Sequence, residues 1–327
     1  MKEKNEKKEL FDQKFKSVLL KQHYGLVGKH SAVKICEWTK KSLLDKDFCY
    51  KQKFYGIRSH LCCQMSPTLG FCSNRCLFCW RAIEYTIDQK MKFKVDEPEE
   101  IINGCIQAQR KLISGFGGNP NINYKKFKEA QEPMHFAISL TGEPTIYPKL
   151  DLLIKKLHSL GKTTFLVTNG MYPKALFKLK ENNALPTQLY ISLTAPDKNT
   201  YFKVDNPVFK DAWNRLNKSL KFMNSVKGKT RTVIRMTVIK DVNMINPEGY
   251  AKLIKTANPD FLEVKAYMHV GFSRNRLKIT NMPSHKEVKD FGISVGKFID
   301  YKIVDEKENS RVVLLMKEDS NDRIMKF

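Results

Sequence analysis

The chain has 327 residues, with 58 Lys and Arg against 34 Asp and Glu and a formal charge of +24. This length exceeds one small sandwich and suits a single α/β barrel with extensions, and 42% apolar residues allow a sizeable core. No stretch reaches the roughly 18 to 20 apolar residues of a membrane span, and no apolar segment follows the charged start Met1–Lys8, so neither a span nor a signal peptide is expected.

In chain order, residues 1–16 are charged and weakly periodic, which reads as a frayed helix or tail. Residues 36–58 are dense in Lys, Cys and aromatics. A strand near Cys63–Pro67 precedes a cysteine-rich loop at 70–81. The spacing predicts a helix over Pro98–Ile113. Acidic residues at 96–100 suit its positive dipole end, and Ser114-Gly115 stops it. Residues 115–131 form a polar, Gly- and Asn-rich loop. Strands are then expected at Met134–Leu140, Thr163–Thr168, Gln188–Leu193, Thr232–Val238 and Phe261–Ala266. Helices are expected at Leu150–Leu160, Lys174–Lys180, Phe209–Val226, Pro247–Thr256 and Ser284–Phe298. Such alternation implies a parallel sheet with helices outside it. Six units rather than eight predict an incomplete (β/α)6 barrel, with Val312–Met316 as a further edge strand. The expected division is an N-terminal extension over 1–62, the barrel over 63–300 and a C-terminal extension over 301–327.

The cationic excess favours a polyanionic partner, because neutralised phosphates release counterions. Charge alone does not separate RNA from DNA or a membrane surface, and Lys-Glu runs are also ordinary solvated faces. Eight cysteines, most of them within residues 36–79, do not resemble a disulfide scaffold. Metal-bound thiolates in a reducing cytoplasm fit better.

Cys72, Cys76 and Cys79 carry the sharpest signal. Three thiolates can hold three irons of a four-iron cluster and leave the fourth open to a small molecule. Structural zinc needs four protein ligands, so a zinc site would lack one here. The C-x3-C-x2-C spacing, with Phe78 before the last cysteine, resembles the radical S-adenosylmethionine (radical SAM) superfamily. That resemblance implies a radical SAM barrel and a 5′-deoxyadenosyl radical made from S-adenosyl-L-methionine.

In parallel α/β folds reactive groups collect at the C-terminal strand ends. Thr141–Thr145, Thr168–Gly170, Ser192–Thr194 and Lys265–Tyr267 all fall there. Each taken singly is as readily a turn or cap residue. The resemblance implies that Gly142, Glu143, Pro144 and Thr145 bind the methionine amine. It further implies that Asn169 and Ser192 meet the carboxylate and ribose, and that Lys265 and Tyr267 complete the cofactor set.

Cys36, Cys49 and Cys62 are separated by thirteen residues and thirteen again. They could be unrelated core thiols, or a zinc site shared with Cys63. With the text around Cys36-Glu37-Trp38, Cys49–Ile57, Ser139–Thr145, Val264–Gly271 and Asn281–His285, the chain resembles the tRNA 4-demethylwyosine synthases over roughly residues 20–300.

That family resemblance implies a second [4Fe-4S] cluster on Cys36, Cys49 and Cys62. Cys63 departs from the family pattern and could substitute for Cys62, and Cys105, inside a predicted helix, reads as a packed thiol. It implies a cytoplasmic carbon–carbon lyase acting on tRNA that bears N1-methylguanosine 3′ of the anticodon. Pyruvate donates two carbons, held by the second cluster or as a Schiff base on Lys51. An external electron donor such as a flavodoxin or ferredoxin is expected. Phosphate and unstacked bases call for cations and aromatics. Lys53, Arg58, Arg75, Trp80 and Arg81 are the expected RNA contacts, with Lys125, Lys126, Lys128, Arg274 and Arg276 as further candidates.

Overall fold

Two three-residue strands, β1 (Gly25–Val27) and β2 (Ser31–Val33), open the sheet as an antiparallel hairpin. Antiparallel to β2 runs β3 (Cys62–Ser66), and from there the direction is constant. In turn β4 (His135–Ile138), β5 (Thr163–Thr168), β6 (Gln188–Ser192), β7 (Arg231–Val238) and β8 (Phe261–Ala266) add parallel, each beside its predecessor. The chain then lays β9 (Lys302–Lys307) at the outer edge and inserts β10 (Val312–Met316) antiparallel between β8 and β9. The structure, a computed structural model, describes residues 10–327.

The six parallel strands are those expected for an incomplete barrel, and the structure extends them to ten. The strand at 312–316 is not an edge: it lies between two neighbours, and the charged segment Lys302–Lys307 takes the edge instead. The supposed start of the barrel at residue 63 falls inside β3, and residues 302–316 continue the same sheet.

Helices α1 (Gln13–Lys21), α2 (Glu37–Leu43) and α3 (Tyr50–Tyr55) precede the barrel. Residues 1–9 of the charged start lie outside the described residues. On the outside run α4 (Pro98–Ile113), α5 (Tyr124–Glu129), α6 (Leu150–Ser159), α7 (Pro173–Glu181), α8 (Lys198–Asp205), α9 (Ala212–Ser225), α10 (Pro247–Ala257) and α11 (His285–Gly296). Two were not expected. One is α5, within the polar 115–131 segment, where the Asn123 side chain caps by accepting from the Lys126 amide at 3.0 Å. The other is α8, where Asp197 does the same for Thr200 at 2.9 Å. No helix among the described residues is long and apolar enough to cross a membrane.

Strand side chains alternate faces, and the two faces have different partners here. Leu166, Leu189, Ile191, Ile234, Met236, Leu262 and Val264 pack outward into the helical layer. Phe165, Tyr190, Val233, Phe261, Val312 and Leu314 point into the lumen. There they meet Tyr50, Phe54 and Tyr55, so α3 fills the barrel from within. Each such large side chain, fully buried, contributes about 1.5–3 kcal/mol.

The C-terminal tail closes the base beneath α3. The Met325 amide donates to the Tyr55 carbonyl at 3.0 Å, and Arg323 Nη1 donates to the Phe54 carbonyl at 3.1 Å. The Phe327 ring sits 4.6 Å from that of His135. Gly56 permits the approach: its φ is +77°, and a Cβ there would lie 2.7 Å from the Met325 carbonyl oxygen.

Candidate functional site

The loop after β3 carries Cys72, Cys76 and Cys79, and neighbouring elements fix its backbone. The amides of Arg75 and Leu77 donate to carbonyls at the end of α8, Asp205 at 3.0 Å and Val204 at 2.9 Å. The Phe272 amide donates to the Trp80 carbonyl at 2.9 Å, and Arg276 donates to the carbonyls of Leu77 and Cys79. Cys72 and Cys76 are pushed up by burial; Cys72 also feels the charge of Cys79, and Cys76 those of Asp205, Cys79 and Cys72. The Cys76 sulfur lies 3.3 Å from Asp205, whose own pKa burial raises to about 6.

Arg81 tests what this donor set can hold. Its guanidinium is buried and bonds to the Thr86 hydroxyl at 3.1 Å and the Asn74 carbonyl at 3.4 Å, with no carboxylate partner among the described residues. Burial would lower its pKa, yet the sulfurs of Cys72, Cys79 and Cys76 override that and raise it. A buried cation needs a matching anion. Three thiolates on a four-iron cluster supply one, so the residues fit the cluster of the radical SAM motif. Arg81, expected to touch RNA, faces the thiols, and the residue is only 8% exposed.

The second strand end adjoins this loop. Gly142 has a φ of +72°, and a Cβ there would sit 2.1 Å from the Thr68 carbonyl oxygen and 2.7 Å from that of Phe71. Only glycine fits. Glu143 is buried and accepts four hydrogen bonds. They come from the Thr145 amide (3.1 Å) and hydroxyl (2.5 Å), the Thr168 hydroxyl (2.6 Å) and the Asn169 amide (2.7 Å). Burial raises its carboxyl pKa against these bonds, which favour the charged form. Glu143 thereby ties the ends of β4 and β5 together, with Pro144 and Thr145 forming the turn between. Asn169 Nδ2 reaches Ser73 Oγ at 3.3 Å and Cys72 Sγ at 3.9 Å.

A cavity of about 230 Å³ opens beside the loop, lined by Phe78, Trp80, Ser192, Arg235, Lys265 and Tyr267 among others. The Tyr267 hydroxyl is 3.0 Å from His269 and 3.1 Å from Ser273. Trp80 stacks on Tyr24 at 6.0 Å, and the Lys34 ammonium lies 4.9 Å and 5.1 Å from the two ring centres.

The N-terminal segment sets Cys36, Cys49 and Cys62 within electrostatic range of one another. Cys36 precedes α2, Cys49 precedes α3 and Cys62 begins β3. Ser59 joins the three pieces: its carbonyl accepts from Thr39 at 3.1 Å, its hydroxyl accepts from the Cys49 amide at 2.9 Å, and it donates to Gln52 at 2.8 Å. Burial raises Cys49 to about 11 and Cys62 to about 12, and Cys62 feels both Cys36 and Cys49. Cys63 points the other way, into the outer core beside Cys105, and both are fully buried.

Lys51 enters the lumen two residues after Cys49, with its ammonium 4.3 Å from the Tyr190 ring centre and 5.6 Å from that of Phe165. Burial lowers its pKa, Glu263 opposes that shift and Arg235 adds to it. Lys265 faces the same space, lowered to about 8 by burial and then by Arg235, and donates to the Ser310 carbonyl at 2.5 Å. Lys265 thus belongs with the Cys36 and Cys49 side of the lumen, apart from the Glu143 corner of the expected cofactor set.

Among the remaining expected RNA contacts, Lys53 turns away from the mouth and pairs with Asp305 at 2.8 Å on β9. Arg58 is tucked against Met134, with its Nε buried and unpartnered among the described residues. Arg75 and Trp80 stay beside the cysteine loop. The sequence reading missed Arg235 and Glu263. Their signal was charged residues at the inward period of strands that are apolar on the other face, in Arg231–Val238 and Phe261–Ala266.

Comparison with known proteins agrees with this geometry. The radical SAM superfamily profile matches residues 124–254, and the wyosine base formation profile matches residues 256–317. The chain is 51% identical over 300 residues to the S-adenosyl-L-methionine-dependent tRNA 4-demethylwyosine synthase of Pyrococcus abyssi, covering 91% of this chain and 87% of that protein. The synthase of Methanocaldococcus jannaschii is 40% identical over 306 residues, with 92% and 95% covered. The chain is similar to a structure of TYW1 with a lysine-pyruvate adduct bound, with a TM-score of 0.85, 36% identity and coverage of 96% and 99%. It is also similar to a crystal structure of archaeal TYW1, with a TM-score of 0.78, 34% identity and coverage of 97% and 100%. Identity at this level over most of both chains fixes the family: the chain belongs to the S-adenosyl-L-methionine-dependent tRNA 4-demethylwyosine synthases.

Proposed function

We propose that this chain condenses N1-methylguanosine, 3′ of the anticodon in tRNA, with pyruvate to give 4-demethylwyosine, and that Lys51 holds the pyruvate. One observation carries the lysine assignment. Lys51 rests over ring faces inside the lumen and makes no hydrogen bond among the described residues, whereas Lys265 is tied to the Ser310 carbonyl. A lysine among apolar walls and other cations reaches its neutral, nucleophilic form readily. Its amine adds to the pyruvate carbonyl carbon, water leaves, and an imine joins the two. The lysine-pyruvate adduct of the similar TYW1 structure supports this reading.

When bound, the cluster on Cys72, Cys76 and Cys79 and S-adenosyl-L-methionine supply the radical that removes hydrogen from the N1-methyl group. The protein supplies position and dryness. Gly142, Glu143, Pro144, Thr145, Asn169 and Ser192 orient the cofactor at the strand ends, with Tyr267 on the far wall of the cavity. Cys36, Cys49 and Cys62 hold a second [4Fe-4S] cluster at the lumen side of the pyruvate. Arg75 and Trp80 meet the anticodon loop at the mouth. A low-potential donor such as a flavodoxin or ferredoxin provides the electron, and the setting is the cytoplasm.

Anaerobic turnover of N1-methylguanosine tRNA with labelled pyruvate, followed by mass spectrometry of the nucleosides, tests the reaction. A tricyclic base carrying two labelled carbons is expected, and unchanged N1-methylguanosine would overturn the proposal. Borohydride reduction with labelled pyruvate tests the lysine: label should enter Lys51, and equal labelling of Lys51→Ala rejects the assignment.

A further inference from the structure

The lumen holds more positive than negative charge. Lys51, Arg235 and Lys265 all face it, and Glu263 is the carboxylate they sense. Both Glu263 oxygens are already engaged, by the Tyr50 hydroxyl at 2.9 Å and the Tyr55 hydroxyl at 2.8 Å. Lys265 is satisfied at Ser310, and Lys51 has the face of Tyr190.

Arg235 is different. The period of β7 sets it on the inward face with Val233 and Thr237, opposite Ile234 and Met236. Its Nε is sealed from solvent and unpartnered, and its guanidinium makes no hydrogen bond or ion pair among the described residues. A guanidinium offers five donors in a planar fork. Leaving that fork unmatched inside a barrel is costly, and the group that matches it best is a carboxylate, bound through two parallel hydrogen bonds. Arg235 also lines the 230 Å³ cavity, so a small anion can reach it from the mouth.

We infer that Arg235 is the carboxylate clamp of a keto-acid subsite, gripping the carboxylate of pyruvate while Lys51 engages its carbonyl. This rests on the reading that pyruvate enters the lumen, and deepens it by naming the residue that selects a 2-keto acid over a neutral ketone. The methionine carboxylate of S-adenosyl-L-methionine offers the same chemistry. The keto acid is the better match, because Arg235 senses Cys49 and Lys51, both on the second-triplet side of the lumen.

The test uses reconstituted holoenzyme carrying Arg235→Met or Arg235→Lys, checked for iron content and melting temperature. Half-saturation for borohydride trapping is measured with labelled pyruvate and with labelled acetone, which replaces the carboxylate by a methyl group. Arg235→Met should raise the pyruvate value by about tenfold or more, an order expected for losing one charge-assisted pair. Acetone labelling and equilibrium binding of S-adenosyl-L-methionine should not change, and Arg235→Lys should fall between. An unchanged pyruvate value overturns the clamp. So does an equal loss for pyruvate and acetone, which means a structural role. So does a loss confined to S-adenosyl-L-methionine, which assigns the carboxylate to the cofactor. If the parent enzyme traps no pyruvate, or Lys51→Ala traps it equally, the lysine reading fails separately. Equilibrium dialysis of pyruvate without borohydride then decides Arg235: the tenfold loss upholds the clamp, and unaltered binding overturns it.

Discussion

Tyr50 and Glu263 meet inside the barrel, the phenol donating to the carboxylate at 2.9 Å across 213 residues of sequence. With the matching bond from Tyr55, this pair fastens α3 to β8 and fixes where Cys49 and Lys51 stand.

Glu263 is fully buried and counters three cations, so deleting its charge strands them. Glu263→Ala should lower stability by about 3–5 kcal/mol, the range for breaking a buried charged network. Glu263→Gln, which keeps an acceptor, should lose less. Denaturant midpoints of the cluster-free protein check this; a Glu263→Ala midpoint equal to the parent's would mean that the lumen cations need no internal counter-charge.

The two cysteine sets should make separable contributions to iron. Cys36→Ser, Cys49→Ser or Cys62→Ser should reduce reconstituted iron from about eight to about four per chain. Cys63→Ser should leave iron unchanged, because that thiol faces Cys105 in the outer core. Iron loss in Cys63→Ser and retention in Cys62→Ser would reverse the assignment.

Gly142→Ala places a methyl group 2.1 Å from the Thr68 carbonyl oxygen at a φ of +72°. Both the clash and the left-handed backbone oppose it. The turn carrying Glu143 has to shift, and S-adenosyl-L-methionine affinity should fall by about tenfold or more. Equilibrium binding of the cofactor to the variant is the measurement, and parental affinity would remove this turn from the cofactor site.

A +24 chain that grips an anticodon arm should bind tRNA with a steep salt dependence. Between about 50 and about 200 mM salt the affinity should fall by at least about tenfold, with a log–log slope reporting the number of phosphates neutralised. A flat response in filter binding would restrict recognition to the bases.

The parallel strands were legible because their apolar runs are long and alternate with amphipathic helices; β5, β8 and β10 match their expected bounds. The hairpin of β1 and β2 was not, since three residues are too few to show a period. The edge strand Lys302–Lys307 escaped because exposure keeps it charged, which reads as a loop. Within the site, the cysteine spacings carried the metal chemistry, while Arg81 looked like an RNA contact. Sequence shows that an arginine follows Cys79 and Trp80, but only the fold shows its guanidinium turned inward to the sulfurs. Glu263 and Arg235 were hidden for the converse reason, as charges set among apolar residues inside strands, where the sequence alone does not show which face they take.

The C-terminal tail has a bearing on how the reaction must be staged. Met325 and Phe327 lie beneath α3, and the carbonyls of Asp322 and Arg323 accept from Arg231 at the start of β7, so the tail packs against the strand ends opposite the cysteine loop. An anticodon arm laid over the mouth beside Trp80 should then hinder the entry of a keto acid, and order-of-addition kinetics check this: equal rates for either order would mean that the arm leaves the way in open.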